Sequence, residues 1–210
     1  MSNPNGVVYL LDDEPGMVKA VTRLLRANGF EVRGFTTPSS FLEAFRPGSD
    51  SCLILDVAMP DLDGLHLQRR LTHEGILLPI VFLTGHGDIP MSVRAMKAGA
   101  VDFLTKPVKD TDLLRAVRAA LVRAAEQRET AAISVRLTRL TPREREVMEH
   151  VIAGKLNKQI AFDLGTGEQN IKIHRGRMMQ KMGLVSVADL VRIAEKLGIG
   201  GKRDWHHDWH

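Results

Sequence analysis

The sequence predicts an α/β fold, a doubly wound five-stranded parallel sheet, followed by a small all-α domain of four helices. Three observations predict it. Apolar stretches of strand length alternate five times with helix-patterned stretches in the first half of the chain, the order that builds a parallel sheet covered by helices. One of them, residues 52–56, runs through four apolar side chains straight into Asp56, and Pro60 and Gly64 break the chain soon after. An unbroken apolar run bounded by turn residues marks a strand buried on both faces. The last third instead reads as helices separated by glycines.

Taken in order, residues 7–11 form the first strand and end in Asp12, Asp13 and Glu14. Pro15, which has no N–H to leave unpaired in a first turn, opens a helix through Asn28, and Gly29 is its expected C-cap. Met17, Val18, Val21, Leu24 and Leu25 recur there at helical spacing. A short strand over 31–35 and a short helix over 39–45 follow. After the Asp56 strand come a helix over 64–73, with Leu67 and Leu71 on one face, and a strand over 79–84. A helix over 90–98 and a strand over 101–105 complete the pattern, closed by Lys106-Pro107. Between Pro107 and Pro142 there is neither Gly nor Pro, and residues 111–132 are rich in good helix formers. A fifth helix is therefore expected from near Asp110, docked through Leu113, Leu114, Val117, Leu121 and Ala124. It runs on as a semi-rigid connector and loosens near residues 133–135.

Composition is ordinary for a globular protein, 44% hydrophobic and 26% charged. No apolar run approaches the roughly 18 residues of a membrane span, and the first residues lack the basic start and apolar core of a signal peptide. Cys52 stands alone, which excludes an internal disulfide and suits a small core hydrophobe. A cytoplasmic protein is the expectation. Charge is unevenly spread: residues 1–124 hold 14 Lys/Arg against 14 Asp/Glu, whereas residues 138–203 hold 13 against seven. An anionic partner such as nucleic acid is expected for the last third only.

The alternation brings Asp12 and Asp13, Asp56, Thr84 and Lys106 to the carboxyl ends of four strands, the edge where open α/β sheets bind ligands. Three carboxylates in one cleft repel strongly and call for a divalent cation, and an all-oxygen site suits Mg²⁺. Lys106 adds a compensating charge and Thr84 a hydroxyl donor. An aspartate is a known nucleophile for phosphoryl transfer, with cations neutralising the transferring oxygens.

Asp12-Asp13, Asp56, Thr84, Phe103 and Lys106-Pro107 resemble the motif set of the receiver domain of bacterial two-component response regulators, a flavodoxin-like fold, over residues 6 to about 123. The resemblance implies that Asp56 accepts phosphate from a sensor histidine kinase. It implies that Asp13, Asp56 and the carbonyl of Ala58 bind Mg²⁺ directly and that Asp12 assists through water. Thr84 and Lys106 would grip phosphoryl oxygens, Phe103 would be the aromatic switch coupled to Thr84, and Lys106-Pro107 would be a cis-proline turn. Residues 84–91 are similar to the FixJ-like branch, and His86, two residues past Thr84, is placed to tune the lifetime of an aspartyl phosphate.

In the last third, Thr141-Pro142-Arg143-Glu144 is a capping box with Pro at the first helical position. That helix runs to about Ala153. Asn157 caps a short helix over 158–164, a turn at 165–167 follows, then helices over 168–182 and 186–197. Two short helices joined by a glycine-containing turn signal a helix-turn-helix. The second carries Lys172, His174, Arg175, Arg177 and Lys181, while Ile171, Met178 and Met182 face inward; charge and motif together point to DNA.

Residues 140–147, 157–161 and 171–175 resemble the LuxR-type DNA-binding domain, which spans roughly 138–199. The resemblance implies that helix 168–182 enters the major groove of double-stranded DNA and that helix 186–197 supports dimerisation. Lys158 and Arg175 would contact phosphates; Glu168, Gln169 and Lys172 would read bases, with His174 beside them. Thr166-Gly167, Asn170 and Gly176 depart from the family's pattern, and a glycine inside a helix costs about 1 kcal/mol relative to Ala.

The whole is identified as a member of the NarL/FixJ response regulators: a receiver over 1–123, a helical linker over 124–137, a DNA-binding domain over 138–200 and a tail over 201–210. The tail, rich in Trp and His, is assigned no function. The expected protein is a transcription regulator and not an enzyme beyond self-dephosphorylation, with a homodimer formed on phosphorylation and RNA polymerase as a further partner. A phosphatase using Asp56 would need a second acid where Ala58 stands. A constitutive DNA-binding protein with a silent receiver would not need the acid cluster.

Overall fold

The computed structural model describes residues 6–47, 50–60, 63–85 and 89–199. The chain divides into two compact units between Arg128 and Glu129.

The first unit holds strands β1 (Val7–Leu11), β2 (Glu31–Phe35), β3 (Ser51–Asp56), β4 (Ile80–Thr84) and β5 (Asp102–Thr105), all parallel, in the order β2-β1-β3-β4-β5. Helices α1 (Pro15–Ala27), α2 (Pro38–Ala44), α3 (Gly64–His73) and α4 (Ile89–Lys97) connect them, and α5 (Asp110–Thr138) follows β5. Successive strand side chains point to opposite faces. Val8, Leu10, Cys52, Ile54, Val81 and Leu83 therefore pack with α1 and α5, whereas Tyr9, Leu11, Leu53, Leu55 and Phe82 pack with α2, α3 and α4. Burying a Leu-sized side chain stabilises by about 1.5–3 kcal/mol, so these two clusters hold the layers more strongly than helix propensity does. Strand β3 lies at the centre and every residue in it is buried. Burial pushes the Cys52 thiol up to about 12, which makes it the inert core residue its isolation implied.

Helix ends differ from the sequence reading where a cap competes. Helix α2 begins one residue early because the Thr37 hydroxyl accepts the Ser40 N–H and Pro38 fills the first turn. Ser186 is likewise the N-cap of α9 (Val187–Lys196), not its first residue. The expected loosening near residues 133–135 does not occur: α5 continues to Thr138. Ile133 is buried there in the core of the second unit, with Leu137 packed against it.

The second unit holds the C-terminal segment of α5 with α6 (Pro142–Ile152), α7 (Asn157–Asp163), α8 (Glu168–Met182) and α9. The capping box of α6 is formed in both directions, Thr141 with Glu144. Asn157 is not the cap of α7 but its first residue: Leu156 is the cap, its N–H donating to Gln159 Oε1, and the Asn157 side chain accepts from Arg175 instead. Ile171, Met178 and Met182 of α8 join Val147, Val151, Ile160 and Leu190 in one core, as their spacing predicts. Gly183 ends α8 in the left-handed conformation at φ 65°, which glycine adopts without a Cβ penalty.

Candidate functional site

The register of the sheet assembles the first site. Leu11 lies opposite Leu55 in the β1–β3 pair, so the next residues of the two strands, Asp12 and Asp56, emerge side by side. The strand order reverses between β1 and β3, and the crevice beyond such a switch point is where ligands bind. Asp12, Asp13 and Asp56 offer carboxylate oxygens that all lie within 4.8 Å of one another. Asp12 and Asp56 are buried and Asp13 half-buried.

Lys106 closes the cleft from the end of β5. Its backbone N–H donates to the Thr84 carbonyl at 2.7 Å, and the Lys106–Pro107 bond is cis. Its ammonium donates to Asp12 Oδ2 at 2.7 Å and to Asp56 Oδ2 at 2.9 Å. Burial alone lowers the pKa of that ammonium, but the hydrogen bonds to Asp12 and Asp56 outweigh it and the net shift is upward. The Ala58 N–H donates to Asp56 Oδ1 at 3.3 Å, and the Glu14 N–H to Asp12 Oδ1 at 3.0 Å. Three carboxylates thus face one ammonium. The surplus negative charge and the all-oxygen donor set fit a divalent cation.

Thr84 is buried at the end of β4, opposite Thr105 of β5. Phe103, half-buried, lies opposite Phe82, with ring centroids 6.0 Å apart. Side chains two apart on a strand share a face, so Phe82 and Thr84 stand in line beside Phe103 and Thr105. His86 lies outside the described residues, as does the tail.

Gly64 begins α3 hard against this site. A Cβ there would lie 2.4 Å from the Asp56 carbonyl oxygen, and the Gly64 N–H donates to the Val57 carbonyl at 3.0 Å. Only glycine allows that approach.

The second site is the exposed side of α7 and α8. Lys158, Glu168, Gln169 and Lys172 are exposed, and His174 and Arg175 half-buried. Lys172 lies 3.6 Å from Glu168 in a loose surface pair. Two of the basic residues on α8 are engaged inside the fold. The Arg175 guanidinium donates to Asn157 Oδ1 of α7 at 2.9 Å, and the Lys181 ammonium to Glu144 Oε2 of α6 at 2.6 Å. Arg143 of α6 donates to the carbonyl of Leu164 at the end of α7, and Arg136 to the carbonyl of Met182 at the end of α8. Sequence reasoning missed these four ties. They join residues from 18 to 46 positions apart and leave no periodic signal.

Fold and site together define a class: a signal-receiving α/β domain followed by a helix-turn-helix. Comparison with known proteins agrees. Residues 8–118 match the response regulator receiver domain, and residues 138–194 match the bacterial regulatory proteins of the luxR family. The chain is 44% identical over 201 residues to the response regulator protein TodT of Pseudomonas putida, covering 94% of this chain and 88% of that one. It is 41% identical to the transcriptional regulatory protein FixJ of Rhizobium meliloti, covering 92% and 97%. The solved structure of the response regulator StyR is similar with a TM-score of 0.70 at 43% identity, over 91% of this chain and 99% of that one.

The chain belongs to the two-component response regulators that join a receiver domain to a LuxR-type DNA-binding domain, with FixJ- and TodT-like members among its relatives. It is a DNA-binding two-component regulator whose aspartate cluster holds the candidate phosphoacceptor, and such receivers are phosphoacceptors rather than enzymes that turn over a substrate. Membership implies a cognate histidine kinase and a DNA target. No described helix is long and apolar enough to cross a membrane.

Proposed function

We propose that Asp56 is the residue phosphorylated and that its phosphorylation controls dimerisation and DNA binding. The observation that carries this reading is the Lys106 ammonium bridging Asp12 and Asp56 at the switch point of the sheet. An Asp56 carboxylate oxygen attacks the phosphorus of the kinase's phosphohistidine. The new O–P bond forms as the N–P bond breaks, and the imidazole nitrogen leaves with the electron pair. Lys106, already charged and anchored through its backbone to Thr84, turns its ammonium toward the incoming phosphoryl oxygens. The Thr84 hydroxyl donates to them as well. Asp12, Asp13, Asp56 and the Ala58 carbonyl would hold Mg²⁺, which when bound offsets negative charge on the transferring group.

Phe103 is the side chain we infer to respond to Thr84, a local charge event biasing an element with two arrangements. The dimer forms through the face of α4, β5 and α5; the exposed Ile89, Val93 and Met96 of α4 support that assignment. Residues 1–123 act as the receiver, 124–137 as a helical linker and 138–200 as the DNA-binding domain. In the latter, α8 enters the major groove with Lys172, Glu168 and Gln169 toward the bases, His174 beside them, and Lys158 and Arg175 toward phosphates. RNA polymerase is a further partner, and a kinase-to-DNA relay places the protein in the cytoplasm. Acetyl phosphate with Mg²⁺ tests the reading. A mass gain of one phosphoryl group at Asp56, followed by dimerisation and tighter DNA binding, is expected. A labelled protein that stays monomeric at high concentration would overturn the dimer.

A further inference from the structure

Gln68 is the most deeply buried uncharged polar side chain of α3, and it faces α4 instead of the acidic cleft. Its Nε2 donates to two carbonyls at the C-terminal end of α4, Ala95 at 3.3 Å and Ala98 at 3.2 Å. Its Oε1 is buried and has no hydrogen-bond partner among the described residues. Turning the amide over would set that oxygen against both carbonyl oxygens, so the chemistry fixes this orientation. A buried acceptor left unsatisfied is costly. The arrangement therefore holds α4 by two hydrogen bonds while retaining an uncompensated polar atom.

The same helix starts at the phosphoacceptor. Gly64 packs on the backbone of Asp56 and Val57 with no room for a side chain, and Gln68 lies four residues on, one turn along α3. A physical chain thus runs from the Asp56 backbone through the first turn of α3 to the last turn of α4. We propose that Gln68 is a positioning residue that holds α4 in its unphosphorylated arrangement, and that release of its two hydrogen bonds accompanies activation. This rests on the reading that α4 belongs to the dimer face. The unsatisfied Oε1 makes the held state easier to leave than a fully paired one, which suits an element with two arrangements.

The test uses Gln68→Leu and Gln68→Met in the full chain. Both keep the side chain's bulk and remove the donor. Three measurements are made on each preparation: amide hydrogen exchange over residues 89–99 without phosphate, dimer fraction with and without acetyl phosphate, and the rate of phosphoryl labelling. The expected result is exchange over 89–99 faster by about tenfold, equivalent to ~1.4 kcal/mol, and a phosphate-independent dimer raised by a similar factor, with labelling within about twofold of wild type. Exchange and dimerisation like wild type in both variants would overturn the proposal. So would loss of labelling and of all dimerisation together, which marks a merely structural role. A wild-type protein that fails to dimerise on phosphorylation sinks the dimer reading instead, and the exchange rates then judge Gln68 alone.

Discussion

Glu144 and Lys181 meet at 2.6 Å although 37 residues separate them, and the carboxylate of that pair is buried. Glu144 also accepts the Thr141 N–H that completes the capping box of α6. One side chain therefore both starts α6 and ties it to the far end of α8. Breaking such a pair from one side leaves a buried charge or acceptor without its partner, the expensive case.

A pH dependence follows from that pair. Burial alone would raise the Glu144 pKa, but the Lys181 and Thr141 hydrogen bonds outweigh it and hold it below its ordinary value of 4.5. A carboxyl depressed on folding contributes stability that is present above the unfolded pKa and lost as pH falls through the folded one. The second unit should therefore lose stability as pH drops below about 4.5, in the acid window where the carboxylate takes up its proton. Urea melts of wild type and Glu144→Gln, followed through a probe in the second unit, should differ in slope over that window, the variant being flatter. Parallel curves would show that the pair does not carry the effect.

Asp56→Asn should abolish acyl-phosphate formation, because an amide is a poor nucleophile and the substitution removes a charge from the cleft. The Lys106 ammonium would keep Asp12 as a partner, so the fold should survive. Mass spectrometry after acetyl phosphate treatment decides it: equal labelling of wild type and variant removes Asp56 from its role.

The sheet and this cleft were legible because the strands that build the cleft mark their own ends. An apolar run that stops at an acid (Asp12, Asp56), at Thr-Gly (Thr84) or near Lys-Pro (Lys106) gives both the strand and the side chain at its carboxyl edge. What Lys106 does could not be read that way. Its bonds to Asp12 and Asp56 depend on register between strands 94 and 50 residues away. Helix α5 misled for a related reason. Residues 133–135 include two β-branched side chains that lower helix propensity, yet burial of Ile133 overrides it. On α8 the basic residues were visible in the sequence, but the bonds of Arg175 to Asn157 and of Lys181 to Glu144 were not. Charge content was visible in the sequence, and charge direction was not.

Asp13→Ala should weaken Mg²⁺ binding while leaving the Lys106 bridge between Asp12 and Asp56 in place. Asp13 is half-buried and brings the third carboxylate of the cluster. Calorimetric titration with Mg²⁺ on wild type and variant reads this directly. An unchanged isotherm would place the cation elsewhere.

Lys172 and Arg175 should fail differently when replaced by alanine. Lys172 is exposed and loosely paired with Glu168, so it can leave that pair for DNA at little cost. As a base reader, its loss should cost about 1–3 kcal/mol and flatten preference at one position of the site. Arg175→Ala should weaken all sequences alike, because a phosphate contact positions without reading. The magnitude of the salt slope should then fall by about 1. The Asn157 bond adds a control: Asn157→Ala breaks the tie between α7 and α8 but leaves the guanidinium charge intact. If Arg175 acts on phosphate, Asn157→Ala retains the wild-type salt slope and most of the affinity. If it acts by holding α8, Asn157→Ala reproduces the loss of Arg175→Ala. A salt series on specific and scrambled duplexes separates these outcomes. Wild-type binding by both Lys172→Ala and Arg175→Ala would mean that α8 does not read the DNA.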